Sequence, residues 1–390
     1  MIYLDYNATT PLCAAARAAM EPFLSRHYGN PSSVHAAGRE ARAAVDDARD
    51  RLADLLGAKA HELIFTSSGT ESNNLAVLGL ARAHAGRGRH LICATTEHHA
   101  VLNAFEHLHE REQFEVTFLP VNQRGRIDPD EASRSIRNDT TLVSVMTANN
   151  ETGVLQPMTE LARLCEERGV LLHSDMVQSF GKTETDLARS GLAAASFAAH
   201  KFYGPKGAGL LYLRAGISIE PIQFGGAHEN QRRPGTENVA AIAGMAAAAE
   251  FALADREHEQ KREERLRDRL WERISAACPD AIRNGIDSDC LANTLNVSFP
   301  GPSSETILMA LDLEGVCASS GSACMVGSVV ASHVLLAMGL PADLAAAAVR
   351  FSLGRETTEE AIDRAAMIVG RVINRVRSAG ADKRIAYAAV

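Results

Sequence analysis

The chain has 390 residues, 46% hydrophobic and 23% charged, enough for two or three domain-sized units with a sizeable core. A formal net charge of −8, from 48 acidic and 40 basic residues, argues against a protein built to neutralise many phosphates, so no direct nucleic-acid partner is expected. The seven cysteines (Cys13, Cys93, Cys165, Cys278, Cys290, Cys317 and Cys324) are scattered and form no C-x-x-C pair, which excludes a zinc knuckle or dithiol motif and fits reduced thiols in a cytoplasmic protein.

Met1-Ile2-Tyr3-Leu4-Asp5 lacks the basic stretch and apolar core of a signal peptide. Strand-like runs are predicted at 62–66, 90–94, 115–119, 141–146, 170–173 and 209–213, with amphipathic stretches such as 158–168 between several of them. This alternation predicts an α/β fold whose large domain has a mostly parallel sheet, with functional groups gathering at the carboxyl ends of strands. From about 237 to 277 the pattern turns helical, first alanine-rich and then charged, which predicts a long helix leading into a smaller α+β domain. That domain continues with a strand at 293–298, a helix at 304–313, a strand at 349–353 and a helix at 358–377, and the last dozen residues are expected to form a loosely held tail. The resulting division is a large domain over 15–255 and a small one over 256–390, with an N-terminal segment 1–14. The stretch 315–342 carries no Asp, Glu, Lys or Arg, but Ser and Gly interrupt it before any run long enough for a membrane span, so it reads as a buried or active-site segment.

Several motifs carry chemistry. Thr66-Ser67-Ser68-Gly69-Thr70-Glu71-Ser72-Asn73-Asn74 follows a strand and opens a helix, so the backbone around Gly69 and Thr70 can hold a phosphate; an ordinary capped helix start reads the same way. In Thr95-Thr96-Glu97-His98-His99, an imidazole can stack on an aromatic ring and move protons near neutral pH; a metal role lacks a third ligand at suggestive spacing, and no metal is expected. His173-Ser174-Asp175-Met176-Val177-Gln178 puts a carboxylate at a strand end, suited to a pyridinium nitrogen, with Gln178 within reach of the same ring; a helix-capping Asp is the competing reading. Gly181-Lys182-Thr183 looks like the end of a Walker A loop, but Met176 stands where its first glycine is required.

In Ala199-His200-Lys201-Phe202-Tyr203-Gly204-Pro205, an apolar run ends in His-Lys before a constrained turn. A lysine held there in a partly dry site has a lowered pKa and can attack a carbonyl; a surface turn is the plain alternative. Ala318-Ser319-Ser320-Gly321-Ser322-Ala323-Cys324 sets a cysteine among small residues, either as an exposed nucleophile or as a core thiol. Arg350, inside a strand-like run, needs an anionic partner, either a substrate carboxylate or a structural salt bridge.

Taken together with Tyr3-Leu4-Asp5-Tyr6-Asn7-Ala8-Thr9-Thr10-Pro11, Gly29-Asn30-Pro31-Ser32-Ser33, Asn149-Asn150-Glu151-Thr152-Gly153, Arg233-Pro234-Gly235-Thr236-Glu237-Asn238 and Ser332-His333-Val334, these motifs resemble the NifS/IscS type of cysteine desulfurase over nearly the whole chain. The resemblance implies the aminotransferase-like pyridoxal 5'-phosphate (PLP) fold and removal of sulfur from L-cysteine. It implies that Lys201 forms the Schiff base and moves the Cα proton, and that Asp175 meets the ring nitrogen. Gln178 and Asn150 would lie near the ring's phenolic oxygen, and His98 would stack on the ring and serve as a catalytic acid/base. Gly69, Thr70 and His200 would hold the phosphate, with Thr236 reaching the phosphate of the partner subunit in a homodimer. Arg350, with Asn150, would bind the substrate, and Cys324 would be the nucleophile that hands sulfur to an acceptor or iron–sulfur scaffold protein. Ala198 stands where members of the family often carry Ser, which removes one expected phosphate hydrogen bond. The competing readings are another PLP enzyme on the same fold, which would not need Cys324, and a non-catalytic protein that kept the fold.

Overall fold

A computed structural model describes residues 1–285, 289–320 and 331–388 of the chain. The N-terminal strand β1 (Ile2–Tyr3) precedes two helices, Ala14–Ser25 and Ala36–Leu56. Among the described residues, a seven-stranded sheet then forms from β2 (Leu63–Thr66), β3 (His90–Ala94), β4 (Glu115–Leu119), β5 (Thr140–Ser144), β6 (Leu171–Asp175), β7 (Ala194–Ala198) and β8 (Gly209–Leu213), in the order β2-β8-β7-β6-β5-β3-β4. Neighbours pair in parallel except at β8, which runs antiparallel to both β2 and β7.

Side chains alternate between the two faces of this sheet, as a period of two requires. Phe65, Ile92, Val143, Leu172, Ala195, Phe197 and Leu210 pack into one core, and Ile64, Leu91, Cys93, Leu142, Leu171, Ala194 and Leu211 into the other. Because helices cover both faces, the central strands β5, β6 and β7 are buried along their whole length.

The predicted long helix over 237–277 is two helices. Val239–Leu253 and Arg256–Ala277 are separated at Asp255, which leaves the helical region with φ −138°. The first is alanine-rich and buried nearly all round, whereas the second is charged with one buried stripe, so the two serve different environments. The second begins a smaller unit built on the antiparallel strands β9 (Ile282–Asn284), β10 (Thr294–Ser298) and β12 (Ala348–Ser352), with β10 central. Its core joins Leu270, Val297, Phe351, Ile362 and Val369 to Leu4 of the N-terminal segment. β1 pairs in parallel with β11 (Val316–Cys317), so the start of the chain belongs to this unit's packing. The final helix, Glu359–Ala388, runs on past Arg377, where the sequence pattern put its end.

Candidate active site

The carboxyl ends of β6 and β7, the helix starts after β2 and β3, the N-terminal segment and β12 surround one cavity of about 320 Å³. It is lined by Gly69, Thr70, His98, Asn150, Asp175, Gln178, His200, Lys201 and Arg350 among others. Residues far apart in the sequence thus face one space.

Lys201 follows β7 on a short 3-10 turn. Its Nζ donates to the backbone carbonyls of Asn7 at 2.6 Å and Ala8 at 2.9 Å. Burial pushes the amine down to about 8; the Arg350 guanidinium adds to that, while Asp5 and Asp175 oppose it. Asp175 ends β6. Its Oδ1 accepts from the Val177 N–H at 2.9 Å and its Oδ2 from Asn73 Nδ2 at 2.7 Å. Burial pushes this carboxyl up, against the Val177 N–H, His98 and the Asn73 amide, which favour the charged form.

His98 caps the helix His99–Glu112, its Nδ1 accepting from the Ala100 N–H at 3.1 Å. That contact leaves the proton of the neutral ring on Nε2. Burial lowers its pKa. Behind it, His99 and His333 meet edge to face, with ring centroids 4.7 Å apart. The helix Gly69–Ala83 starts under Ser68, whose side chain accepts from the Glu71 N–H and leaves the N–H groups of Gly69 and Thr70, which no intrahelical carbonyl can reach. A Cβ on Gly69 would lie 2.8 Å from Val177 Cγ2 and 3.2 Å from Ala198 Cβ, so this turn is drawn tight against the strand ends. His200, pushed down to about 4 by burial and then by Lys201, meets Thr9 Oγ1 at 3.2 Å.

Arg350 is 4% exposed. It donates to Asp5 Oδ1 at 2.8 Å and to the Asn150 carbonyl at 2.9 Å, and among the described residues its buried Nε has no partner. The structural salt bridge weighed from sequence is therefore present, and Arg350 also lines the cavity.

The family model for class-V aminotransferases matches residues 2–365. A protein of Dictyoglomus turgidum described as "Cysteine desulfurase IscS" is 45% identical over 377 residues, covering 97% of this chain and 95% of that one. The chain belongs to the cysteine desulfurase family of class-V aminotransferases. Another family member, "Cysteine desulfurase IscS" of Methanosarcina thermophila, is 41% identical over 97% of this chain and 93% of its own. A solved "NifS-like protein" superposes with a TM-score of 0.90 at 35% identity, covering 96% of this chain and 99% of that one. The structure titled "SspA in complex with cysteine" gives a TM-score of 0.80 at 33% identity over 90% of this chain and 99% of that one.

Within this family member, the cavity brings together Lys201, Asp175, Gln178, Asn150, Gly69, Thr70, His98, His200 and Arg350. Thr236 is exposed and does not line it. Cys324 lies outside the described residues. The residues on either side of its segment do line the cavity: Ser319, bridged to Arg350 through backbone hydrogen bonds, and His333, whose Nε2 meets the Glu97 carbonyl at 2.9 Å.

Three residues went unrecognised as parts of the site in the sequence. Asn73 holds Asp175. Asn7, 1% exposed, accepts on its carbonyl from both Lys201 and Gln178. Lys182, dismissed with the false Walker motif, reaches Gln178 Oε1 at 3.0 Å and Asn7 Oδ1 at 3.3 Å. The sequence signal for Asn73 and Asn7 was position inside the short motifs that carry Gly69 and Asp5, and Lys182 had none beyond the misleading Gly181-Lys182-Thr183.

Proposed function

We propose that the protein is a PLP-dependent cysteine desulfurase that moves the sulfur of L-cysteine onto Cys324. The observation that carries this reading is the convergence of Lys201 and Asp175 on one cavity that both flanks of the Cys324 segment also line.

The residues present fit PLP. A desolvated amine is held at Lys201, a buried carboxylate at Asp175 suits a ring nitrogen, and the tight helix start at Gly69 and Thr70 suits an anion, with His200 beside it. Ala198 offers no hydroxyl there, so the phosphate rests on the remaining donors, with Thr236 of a second copy of the chain as a further one. His98 supplies a flat imidazole for stacking, and Gln178 and Asn150 an amide edge for the phenolic oxygen. When bound, PLP supplies an electron sink for the carbons of the substrate.

The chain's own groups do the rest. Lys201 attaches the coenzyme and carries the substrate's Cα proton. Arg350, which lines the cavity, orients the substrate carboxylate with its guanidinium. The Cys324 thiolate attacks the substrate sulfur: an S–S bond forms as the Cβ–S bond breaks, and the electron pair left on Cβ is captured as a C–H bond. The products are L-alanine and a Cys324 persulfide, whose outer sulfur passes to an acceptor protein in iron–sulfur cluster or other thio-cofactor assembly. We further propose that the enzyme works as a cytoplasmic homodimer; among the described residues, no helix is long and apolar enough to cross a membrane.

Exposure to L-cysteine is expected to add one sulfur to Cys324, read by mass spectrometry. Cys324→Ala is expected to lose sulfide and alanine production while keeping the visible absorbance of bound PLP. A Cys324→Ala enzyme that still desulfurates L-cysteine at the wild-type rate would overturn the reading in favour of a PLP enzyme of other specificity.

A further inference from the structure

A second lysine lies behind the cavity. Lys182 sits in the loop after β6, and its Nζ donates to Gln178 Oε1 at 3.0 Å and to Asn7 Oδ1 at 3.3 Å. The Asn7 carbonyl can only accept, so the amide end of Gln178 that faces it is Nε2, and the end that faces Lys182 is an acceptor to which the amine donates. Oε1 of Gln178 is therefore the atom that faces Lys182. The other end of the same amide, Nε2, donates to the Asn7 carbonyl at 2.9 Å and has a second hydrogen left for the cavity that Gln178 lines. The same Asn7 carbonyl also accepts from Lys201 at 2.6 Å. Asn7 is held in turn by Asn293 Nδ2 on its Oδ1, by Thr294 Oγ1 on its Nδ2 and by Ser352 Oγ on its N–H.

We propose that Lys182 is a positioning residue: by donating to Gln178 Oε1 and Asn7 Oδ1, it fixes and polarises the Gln178 amide so that an N–H is presented to the phenolic oxygen of the coenzyme. This rests on the PLP reading above and assigns a part to a residue that touches neither coenzyme nor substrate. A hydrogen bond accepted on one end of an amide strengthens donation from the other, and a low-dielectric setting magnifies the effect.

The setting is dry and charged. Burial pushes Lys182 down to about 7, with Lys201 and Arg350 adding to the shift and Glu263 opposing it. Glu263, on the helix Arg256–Ala277, is raised to about 7 by its own burial. Lys182 and Glu263 both line a small adjoining cavity of about 30 Å³, which Lys201 lines as well and which has room for a water.

The test uses holoenzyme and reads the pH midpoint of the visible band of bound PLP. A donor on the phenolic oxygen lowers the proton affinity that the oxygen shares with the neighbouring nitrogen, so losing that donor raises the midpoint. Lys182→Met is expected to move it up by about one unit. Removing a nearby positive charge would act in the same direction, so the decisive comparison is a cycle with Gln178→Ala. The expected result is that Lys182→Met has much less effect in the Gln178→Ala background, and that Lys182→Arg, which keeps the donors, stays near wild type. Equal shifts in both backgrounds, or no shift in either, would overturn the proposal. If the methionine variant does not accumulate, Lys182→Ala, whose space water can enter from the adjoining cavity, is read by the same criteria. A wild-type protein with no visible coenzyme band would sink the functional reading itself; a normal band that Lys182→Met leaves in place would sink only the role of Lys182.

Discussion

The Lys201 ammonium rests on two backbone carbonyls, which would hold a proton on it, yet it lies in a dry site beside Arg350, which would drive that proton off. Desolvation wins, and the amine comes down from 10.5 to about 8. Only the neutral amine can attack a carbonyl, so coenzyme uptake by the apoprotein is expected to quicken as pH rises through about 8 and to level off above it. A free lysine would still be gaining at 10.5. Growth of the visible band after mixing apoprotein with PLP, followed across pH, checks this. Arg350→Lys is expected to raise the KM for L-cysteine about tenfold with a smaller change in kcat, because an ammonium cannot keep Asp5, the Asn150 carbonyl and a carboxylate on separate planar donors. At this scale the sequence was informative wherever a residue's chemistry follows from its own motif: an amine before a tight turn, a carboxylate at a strand end. It was silent where function lies in a contact across the fold. Asn73 is 102 positions from Asp175, and Asn7 is 194 from Lys201, so nothing local marks either pair.

At the scale of elements, the phosphate-binding candidate depends on how closely one helix start approaches two strand ends. Gly69→Val would drive its side chain into Val177 and Ala198. The expected result is a loss of about 1–3 kcal/mol of stability by urea unfolding and weaker retention of PLP on dialysis. The strands with β-branched or aromatic content, such as β2 and β5, were legible from the sequence. β7 was not identified as a strand: its run Ala194-Ala195-Ser196-Phe197-Ala198 has little β preference and is held extended by pairing with β6 and β8 and by burial on both faces. The break at Asp255 was hidden for a related reason. Charged, helix-favouring residues follow it directly, so propensity continues where the backbone does not.

Across the whole molecule, the site is assembled from both sheets. Arg350 on β12 of the small sheet is paired with Asp5 of the N-terminal segment, with side chains 5% and 20% exposed. Asp5→Ala would leave a buried guanidinium without its counter-ion. The expected cost is about 2 kcal/mol, below that of a fully enclosed pair because water reaches Asp5, and it would be seen as a lower urea midpoint at unchanged slope.

The pairing of β1 with β11 has a mechanical consequence. Ile2 and Tyr3 are fastened to Val316 and Cys317, just upstream of Ser319 and the stretch leading to Cys324, while the carbonyls of Asn7 and Ala8 grip the Lys201 amine. One short leash therefore ties the Lys201 amine, the proposed anchor of the coenzyme, to the strand that precedes the proposed sulfur carrier, Cys324. Trimming away residues 2–4 would slacken both ends together, so coenzyme retention and persulfide formation should decline in step.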